Sequence, residues 1–525
     1  MRAALRMATS ASLGRVRPDC PVCSAPDLQY EFIIDGYPAC GCQRCGLLFL
    51  NPQPGTEAPA APVPIVEETA VPGVSTALAR LLAYARLTTG RLLLVNATPQ
   101  MEADARARGF DLTSIGVRAL EQGSWSETAG TFDACLFNRA VETAVDPLAV
   151  LESVRRLLVP GGSIMVIAPT LDSRAARLFR SRWWDFRKEN RFYFSADTLQ
   201  SLVLRAGYGD PIIDRDHSRS SSQQVRERLA TLPRGGRYRL LRIGAAVAPG
   251  FVRRRALRFL YSRTMLLART RPPNPVPRLS VVMPVYNERA TFEPVMDLVL
   301  AKRIDGVEIE IVIVESNSTD GTRDLVRKYE RHPRVTVILE ERAKGKGHAV
   351  RRGFAAATGD VLLIQDADLE YDIDDYEMLI EPILRYQQNF VIGSRHVHNR
   401  GVWKMREFND AAGLAAYFNF GHLLFLWLFN AIYQQKLRDP FSMFKVFRRD
   451  CLYGLTFECD RFDFDFELAI KLLRKGYRPL ELPVNYKARS FTEGKKVTFF
   501  HDPLLWVRAL VKFRTSPLYR EGRDA

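Results

Sequence analysis

Eight cysteines in 525 residues are too few for a disulfide framework. Five of them lie between Cys20 and Cys45, and that crowding points to metal binding in a reducing compartment. Acids are scarce too: 59 Asp and Glu face 75 Lys and Arg, for a net charge of +16. A basic surface implies an anionic partner, whether a phosphate-bearing substrate, an anionic lipid or nucleic acid. Met1 to Arg17 lacks both acids and an apolar stretch, so it is no secretory signal. A transit peptide or a ragged N-terminal tail over residues 1–18 remains, and the tail is the expectation. Apolar content is not short. Hydrophobic residues at 47% and charged residues at 26% exclude wholesale disorder or a fibre, and the length calls for roughly three domains.

Cys20-Pro-Val-Cys23 and Cys42-Gln-Arg-Cys45 have the C-x2-C…C-x2-C spacing of a tetrahedral zinc ribbon, expected over residues 19–50. Four thiolates fill the coordination of zinc, so this site is structural. Residues 51–74, rich in Pro, Ala, Glu and Thr, read as a linker. Residues 75–213 alternate β-like runs, among them Arg91–Val95, Phe132–Phe137 and Ser163–Ile167, with helical stretches, as an α/β sheet does. Residues 214–277 carry many arginines, no lysine and three acids. They read as a helical linker, either solvated or lying on anionic lipid. Pro272 to Pro277 makes a stiff boundary, and a second α/β domain runs from 278 to 515, followed by a tail over 516–525. Strands are expected at Leu279–Pro284, Glu310–Glu315, Val335–Leu339 and Val361–Gln365, with helices between them in βαβ units.

The chemistry concentrates at these strand ends, where open α/β sheets bind ligands. Val361–Gln365 runs into Asp366-Ala-Asp-Leu-Glu370. Alternate residues of an extended chain share a face, so Asp366, Asp368 and Glu370 can converge on one hard divalent cation, Mg²⁺ or Mn²⁺. Pro284-Val-Tyr-Asn-Glu288 ends the first strand of this domain, and Glu315-Ser-Asn-Ser-Thr-Asp-Gly-Thr322 ends the second. Lys344-Gly-Lys-Gly-His-Ala349 opens a helix with lysines suited to phosphate. Together these turns describe a nucleotide-diphosphate crevice.

Residues 278–515 resemble a family-2 glycosyltransferase with a GT-A fold, nearest to the polyprenol-phosphate (dolichol-phosphate mannosyltransferase-like) branch. The likeness rests on Val282–Glu288, Val314–Thr322, Gly359–Tyr371, Gly393-Ser-Arg395, Asp439-Pro-Phe-Ser442, Phe464-Asp-Phe-Glu467, Glu481–Val484 and Arg489–Lys496. It implies inverting transfer from a nucleotide-diphospho-sugar to a lipid phosphate or a glycan. Pro284, Tyr286, Asn287, Glu288, Glu315, Ser316 and Lys346 would bind the donor, with Glu288 and Glu315 on base and ribose. Asp366 and Asp368 would hold metal and diphosphate. Arg395, Arg406, Arg489, Lys495 and Lys496 would meet acceptor or phosphate, and Asp439 would serve as general base for a hydroxyl acceptor. Ser316 replaces the second acid of the usual Val-Asp-Asp motif, which leaves the choice of base open. Ala411–Gln435 has no charged side chain and reads as core plus an interfacial helix, and Leu504–Arg514 mixes apolar and basic residues as a membrane-surface helix does. The protein is thus expected in the cytoplasm, peripheral on the cytoplasmic face of an anionic membrane.

Residues 19–208 resemble a class I S-adenosylmethionine methyltransferase with an N-terminal zinc ribbon, on Cys42–Pro52, Phe132–Cys135, Glu142–Pro147, Leu158–Gly162, Trp184 and Phe194–Leu199. The family's Gly-x-Gly cofactor turn is missing: Leu94–Gln100 has no glycine, and Pro99 removes a backbone donor. S-adenosylmethionine binding is therefore not expected, and the domain is read as structural. The whole is an α/β multidomain protein: a zinc ribbon, a Rossmann-like methyltransferase-type domain and a GT-A doubly wound nucleotide-sugar domain. The rivals are a bifunctional methyl- and glycosyltransferase of cell-surface polysaccharide synthesis and a non-catalytic nucleotide-sugar-binding scaffold. A nucleic-acid partner is not expected.

Overall fold

A computed structural model of the chain describes residues 14, 16–55, 76–123, 129–216, 263–272, 274–395, 412–487 and 501–519. Two compact units emerge, Met1–Pro273 and Asn274–Glu521.

The first unit opens with strands β1 (Leu28–Ile34), β2 (Tyr37–Cys42) and β3 (Leu48–Leu50). It continues through α1 (Thr76–Ala85), β4 (Arg91–Val95), α2 (Pro99–Ala107), β5 (Asp111–Ile115), α3 (Val117–Glu121), β6 (Phe132–Asn138), α4 (Pro147–Leu157) and β7 (Leu158–Ala168). Then come α5 (Arg174–Phe179), β8 (Phe192–Tyr193), α6 (Ala196–Arg205), β9 (Tyr208–Asp216) and β10 (Arg263–Thr270). Helix α4 starts where the sequence dictates. Asp146 caps it, accepting from Leu148 N at 3.2 Å and Ala149 N at 3.1 Å, and Pro147 fills the first position, where no donor is needed. Val150, Leu151 and Val154 then face the core.

The main sheet runs β5-β4-β6-β7-β10-β9, parallel through its first four strands, with β10 antiparallel between β7 and β9. This corrects the helical-linker reading of 214–277 at both ends, since residues 214–216 and 263–270 are sheet strands. The reason is burial. Met265, Leu266, Leu267 and Ala268 are all buried, and a short run apolar on both faces carries no period that separates strand from helix. Residues 217–262 lie outside the described residues. The ribbon is not self-contained either, because β3 pairs with β8 through Leu48–Tyr193 and Phe49–Phe192, completing the four-stranded sheet β1-β2-β3-β8.

The second unit contains β11 (Arg278–Val285), α7 (Phe292–Ala301), β12 (Glu308–Glu315), α8 (Thr322–Arg327), β13 (Val335–Leu339), α9 (Lys346–Ala356) and β14 (Val361–Ile364). It goes on through α10 (Tyr376–Leu384), β15 (Phe390–Ser394), α11 (Ala412–Tyr433), β16 (Lys445–Arg448), α12 (Phe464–Arg474), β17 (Leu480–Pro483) and α13 (His501–Thr515). The sheet order is β13-β12-β11-β14-β16-β15-β17. The first four strands are parallel, and β16 is antiparallel to both its neighbours. Val281, Val282, Met283, Ile311, Val312 and Ile313 are all buried, as expected where helices cover both faces of a parallel sheet. The parallel run brings four C-terminal strand ends side by side.

Helix α13, expected as a membrane-surface helix, packs part of its face inward. Ala509, Leu510 and Phe513 are buried in the core, and Tyr433 Oη donates to Leu510 O at 2.6 Å. These three residues pack on α11 and α12, while Val511 on the same helix is exposed. Leu424 and Trp427 of α11 are exposed. No helix among the described residues is long and apolar enough to cross a membrane.

Candidate active site

The site is built on the ends of β11, β12, β13 and β14. Asn287, in the left-handed region at φ 52°, locks the first two loops together: its N–H donates to Ser318 Oγ at 2.9 Å, and its Oδ1 accepts from Thr319 N at 2.8 Å. Thr291 Oγ1 ties the same loop to β14 by donating to Ala367 O at 2.8 Å. Glycines set the entry to α9. A Cβ on Gly345, at φ 111°, would meet Asp460 O at 2.4 Å, and one on Gly347 would meet Phe464 Cβ at 2.5 Å.

That close approach seats Lys346 over the end of β14, with Nζ 2.6 Å from Asp366 Oδ1. Burial works against the lysine's charge, but Asp366 and then Asp465 outweigh it and raise its pKa. Asp465, on the first turn of α12, is 8% exposed and its Oδ1 has no hydrogen-bond partner. Burial pushes its carboxyl above the usual range, while Lys445 and Lys346 pull it back. Lys445 is fully buried, which lowers its pKa, and its Nζ donates to Ser442 O. Two carboxylates and two ammoniums thus share a desolvated volume at the strand ends, where charge on a ligand is worth more than in water.

Among the described residues one group of metal-type side chains gathers round a common point: Cys20, Cys23, Cys42 and Cys45, whose sulfurs all lie within 4.8 Å of one another. Cys20–Cys45 is 3.5 Å and Cys23–Cys42 is 3.6 Å. Tetrahedral zinc with ~2.3 Å bonds needs sulfurs ~3.8 Å apart, so the quartet fits. Twin turns present the pairs, with Ser24 N donating to Cys20 O at 2.8 Å and Gly46 N to Cys42 O at 2.9 Å. The strand ends of the same unit are occupied by their own side chains. Asn96 Oδ1 accepts from Val117 N at 3.0 Å, and Asn138 Nδ2 donates to Asn96 O at 3.0 Å, stitching the ends of β4, β5 and β6. Glu142 is 1% exposed beyond β6, with Arg139 Nε 3.4 Å away, and burial pushes its carboxyl up to about 7.

Residues 280–454 match the model of glycosyl transferase family 2, and residues 89–209 match that of a methyltransferase domain. The chain carries a family 2 glycosyltransferase domain. Dolichol-phosphate mannosyltransferase of Pyrococcus furiosus is 28% identical over 223 residues, 42% of this chain and 59% of the relative. Glycosyltransferase AglD of Haloferax volcanii is 28% identical over 221 residues, 41% of this chain and 34% of the relative. The chain therefore spans less than two thirds of either relative. Among solved structures, glucosyl-3-phosphoglycerate synthase from Mycobacterium tuberculosis with Mn²⁺, UDP-glucose and phosphoglyceric acid is 20% identical, covering 46% of this chain and 81% of that one, at TM-score 0.34. Mannosyltransferase PcManGT from Pyrobaculum calidifontis with GDP-Man and Mn²⁺ is 23% identical, covering 40% and 57%, at TM-score 0.26.

Within the glycosyltransferase domain, the structure brings Tyr286, Asn287, Glu288, Glu315, Ser316, Lys346, Asp366 and Asp368 to neighbouring strand ends and redistributes other expected roles. Glu315 is wholly buried, with Oε1 accepting from Ser318 N at 2.6 Å and Oε2 from Arg323 Nε at 2.5 Å, so it braces the loop instead of reaching a ribose. Glu370 does not join Asp366 and Asp368. Its Oε2 accepts from Tyr486 Oη at 3.1 Å, while Asp368 Oδ1 turns to Glu370 N at 3.1 Å, because the chain bends here and loses the alternation of a strand. Asp439 is fully buried and fork-bound: Arg395 Nε donates to Oδ2 at 2.8 Å and Nη2 to Oδ1 at 2.7 Å. That bidentate pairing engages both Asp439 oxygens and the Arg395 guanidinium with each other. Pro284 sits in β11, one residue before its end. Arg406, Arg489, Lys495 and Lys496 lie outside the described residues. Sequence reading missed Asp465, Lys445, Glu340 and His348; the Phe464–Glu467 motif was the available signal for Asp465.

Proposed function

We propose that residues 278–515 catalyse inverting transfer of a sugar from a nucleotide-diphospho-sugar to a lipid phosphate, of the polyprenol-phosphate type, or to a glycan hydroxyl. The observation that carries this reading is the meeting of Lys346, Asp366, Asp368 and Asp465 at the strand ends of a family 2 domain. The Pyrococcus relative, a dolichol-phosphate mannosyltransferase by name, supports the lipid-phosphate acceptor.

Asp366 and Asp368, hard oxygen donors completed by diphosphate oxygens, suit Mg²⁺ or Mn²⁺, which supplies charge neutralisation for the leaving group. Lys346 adds a fixed positive charge at the same place and needs no reorganisation during reaction. The acceptor oxygen bonds to the anomeric carbon as the bond from that carbon to the diphosphate oxygen breaks. With a hydroxyl acceptor the proton goes to Asp465, whose unpartnered Oδ1 and raised pKa suit a general base better than the fork-bound Asp439. With a lipid phosphate the attacking oxygen is already anionic, and Asp465 takes no proton.

The uncharged helix α11, with Leu424 and Trp427 exposed, fits a peripheral station on the cytoplasmic face of an anionic membrane. The methyltransferase-like domain and its zinc site serve a structural role without S-adenosylmethionine, and no nucleic acid is involved. The test is turnover of a panel of nucleotide sugars by the purified chain with Mn²⁺ or Mg²⁺, with and without polyprenol phosphate. Donor consumption that stops on chelation is expected; no consumption of any donor, or full consumption in chelator, contradicts the reading.

A further inference from the structure

We infer that Thr291, through its hydroxyl, is the positioning residue that sets Asp366 and Asp368 for a divalent cation and ties them to Glu288. This inference rests on the metal-and-diphosphate reading of that pair above and adds the side chain that holds the pair in place.

A helix cap goes unused here. Thr291 stands just before α7, where a threonine hydroxyl ordinarily accepts from an N–H of the first turn. It makes no such bond, and its backbone, at φ −112° and ψ −21°, is not extended as a cap residue usually is. The hydroxyl is spent elsewhere. It donates to Ala367 O at 2.8 Å and to Glu288 Oε2 at 3.1 Å, and because it has one hydrogen the two acceptors share it.

Ala367 is the middle residue of Asp366-Ala-Asp368, 2% exposed and packed in the core of the second unit. Strand β14 has already ended at Ile364, so side chains take over the work of a ladder. Gln365 Nε2 donates to Asp366 O at 3.0 Å, and Gln365 is itself held by Tyr376 Oη, which donates to its Oε1 at 3.0 Å. Thr291 takes the next carbonyl. That carbonyl belongs to the peptide joining Ala367 to Asp368, so its orientation sets where the Asp368 carboxylate stands relative to Asp366. A small hard cation tolerates little error in that spacing, and partners that fix ligands typically carry ~10–100-fold of metal affinity. The contact to Glu288, whose N–H donates to Thr322 Oγ1 at 3.0 Å, joins the loop after β11 to the same pair.

The test is Mn²⁺ titration of the full chain, read by the electron paramagnetic resonance of free Mn²⁺, alone and with inorganic pyrophosphate, beside thermal melting without Mn²⁺. Thr291→Val keeps the shape and removes a hydroxyl that caps no helix. It should bind Mn²⁺ with pyrophosphate at least ~10-fold more weakly than the parent. Thr291→Ser keeps the hydroxyl and loses the methyl, so it should stay within ~3-fold of the parent even where it melts lower. Thr291→Ser and Thr291→Ala differ by the hydroxyl alone, and the same ~10-fold gap should separate them. Affinity that follows the hydroxyl and not the melting temperature marks positioning, whereas a merely structural residue ties affinity to melting. Parent affinity in Thr291→Val, or equal affinities in Thr291→Ser and Thr291→Ala, overturns the inference and leaves the nucleotide-sugar reading standing. A parent that titrates like Asp368→Asn overturns both.

Discussion

The ends of β4, β5 and β6 and the ends of β11, β12, β13 and β14 are equivalent places in the parallel parts of two mixed sheets, and they are filled in opposite ways. In the first unit, neutral side chains close on backbone groups: Asn96 on Val117 N, Asn138 on Asn96 O. Asn96 Oδ1 and Asn138 Nδ2 are consumed by the chain itself, while Asn138 Oδ1 and the Glu142 carboxylate oxygens stay buried without hydrogen-bond partners. In the glycosyltransferase domain the corresponding positions hold charges, Lys346 against Asp366 with Asp465 unpartnered on one oxygen, and these keep capacity for a charged ligand. The lesson is that a fold's ligand edge is decided by what its loops do with their own polar groups. Sheet order alone does not decide it.

Breaking the fork inside the second unit should have the largest effect. Asp439→Asn leaves Arg395 as a buried charge without its carboxylate and should cost ~3–5 kcal/mol of stability in urea unfolding. Asp465→Asn leaves the buried Lys445 without its main compensating charge, so it too should lose stability, by less than Asp439→Asn, and transfer to a hydroxyl acceptor should be lost. Equal stability of Asp439→Asn and the parent would count against the structural role.

In the first unit the sharpest handle is Glu142, whose carboxyl is raised from 4.5 to about 7 by burial. A carboxyl with a raised pKa favours the fold while protonated, and that contribution fades as pH rises from its unfolded value through 7. Glu142→Gln should match the parent near pH 4 and exceed it by up to ~3 kcal/mol at pH 8, by the ~1.36 kcal/mol that each pKa unit carries. Parallel pH–stability curves would show that Glu142 is not the group responsible.

Next in size is Asp368→Asn, which keeps shape but removes one ligand charge. Turnover should fall at least ~100-fold, or ~2.7 kcal/mol of transition-state stabilisation, and unaltered kcat would exclude the Asp366–Asp368 pair from the mechanism. The smallest effect belongs to the closed edge. Asn96→Ala forfeits one hydrogen bond and should cost ~1 kcal/mol in denaturant without creating S-adenosylmethionine affinity.

The parallel strands and the acids after β14 were legible because long apolar runs ending in turn residues state their burial directly, as in Val361–Ile364 before Asp366. What escaped was pairing at a distance. Arg395 and Asp439 are 44 residues apart, and nothing local to either shows that they spend their charges on each other. Glu370 was expected on the metal because the alternation of a strand was extended past the point where β14 stops at Ile364. Strand β10 was read as linker because Arg263 and Arg269 flank a short apolar run whose environment, between β7 and β9, is set only by the fold.

The contrast between the two edges is tested most directly by paired calorimetry on the same purified chain, titrated in one cell with a nucleotide sugar and Mn²⁺ and in another with S-adenosylmethionine. Saturable binding of at least one nucleotide sugar and no heat from S-adenosylmethionine is the predicted result. Micromolar binding of S-adenosylmethionine, or no binding of any nucleotide sugar, would contradict it.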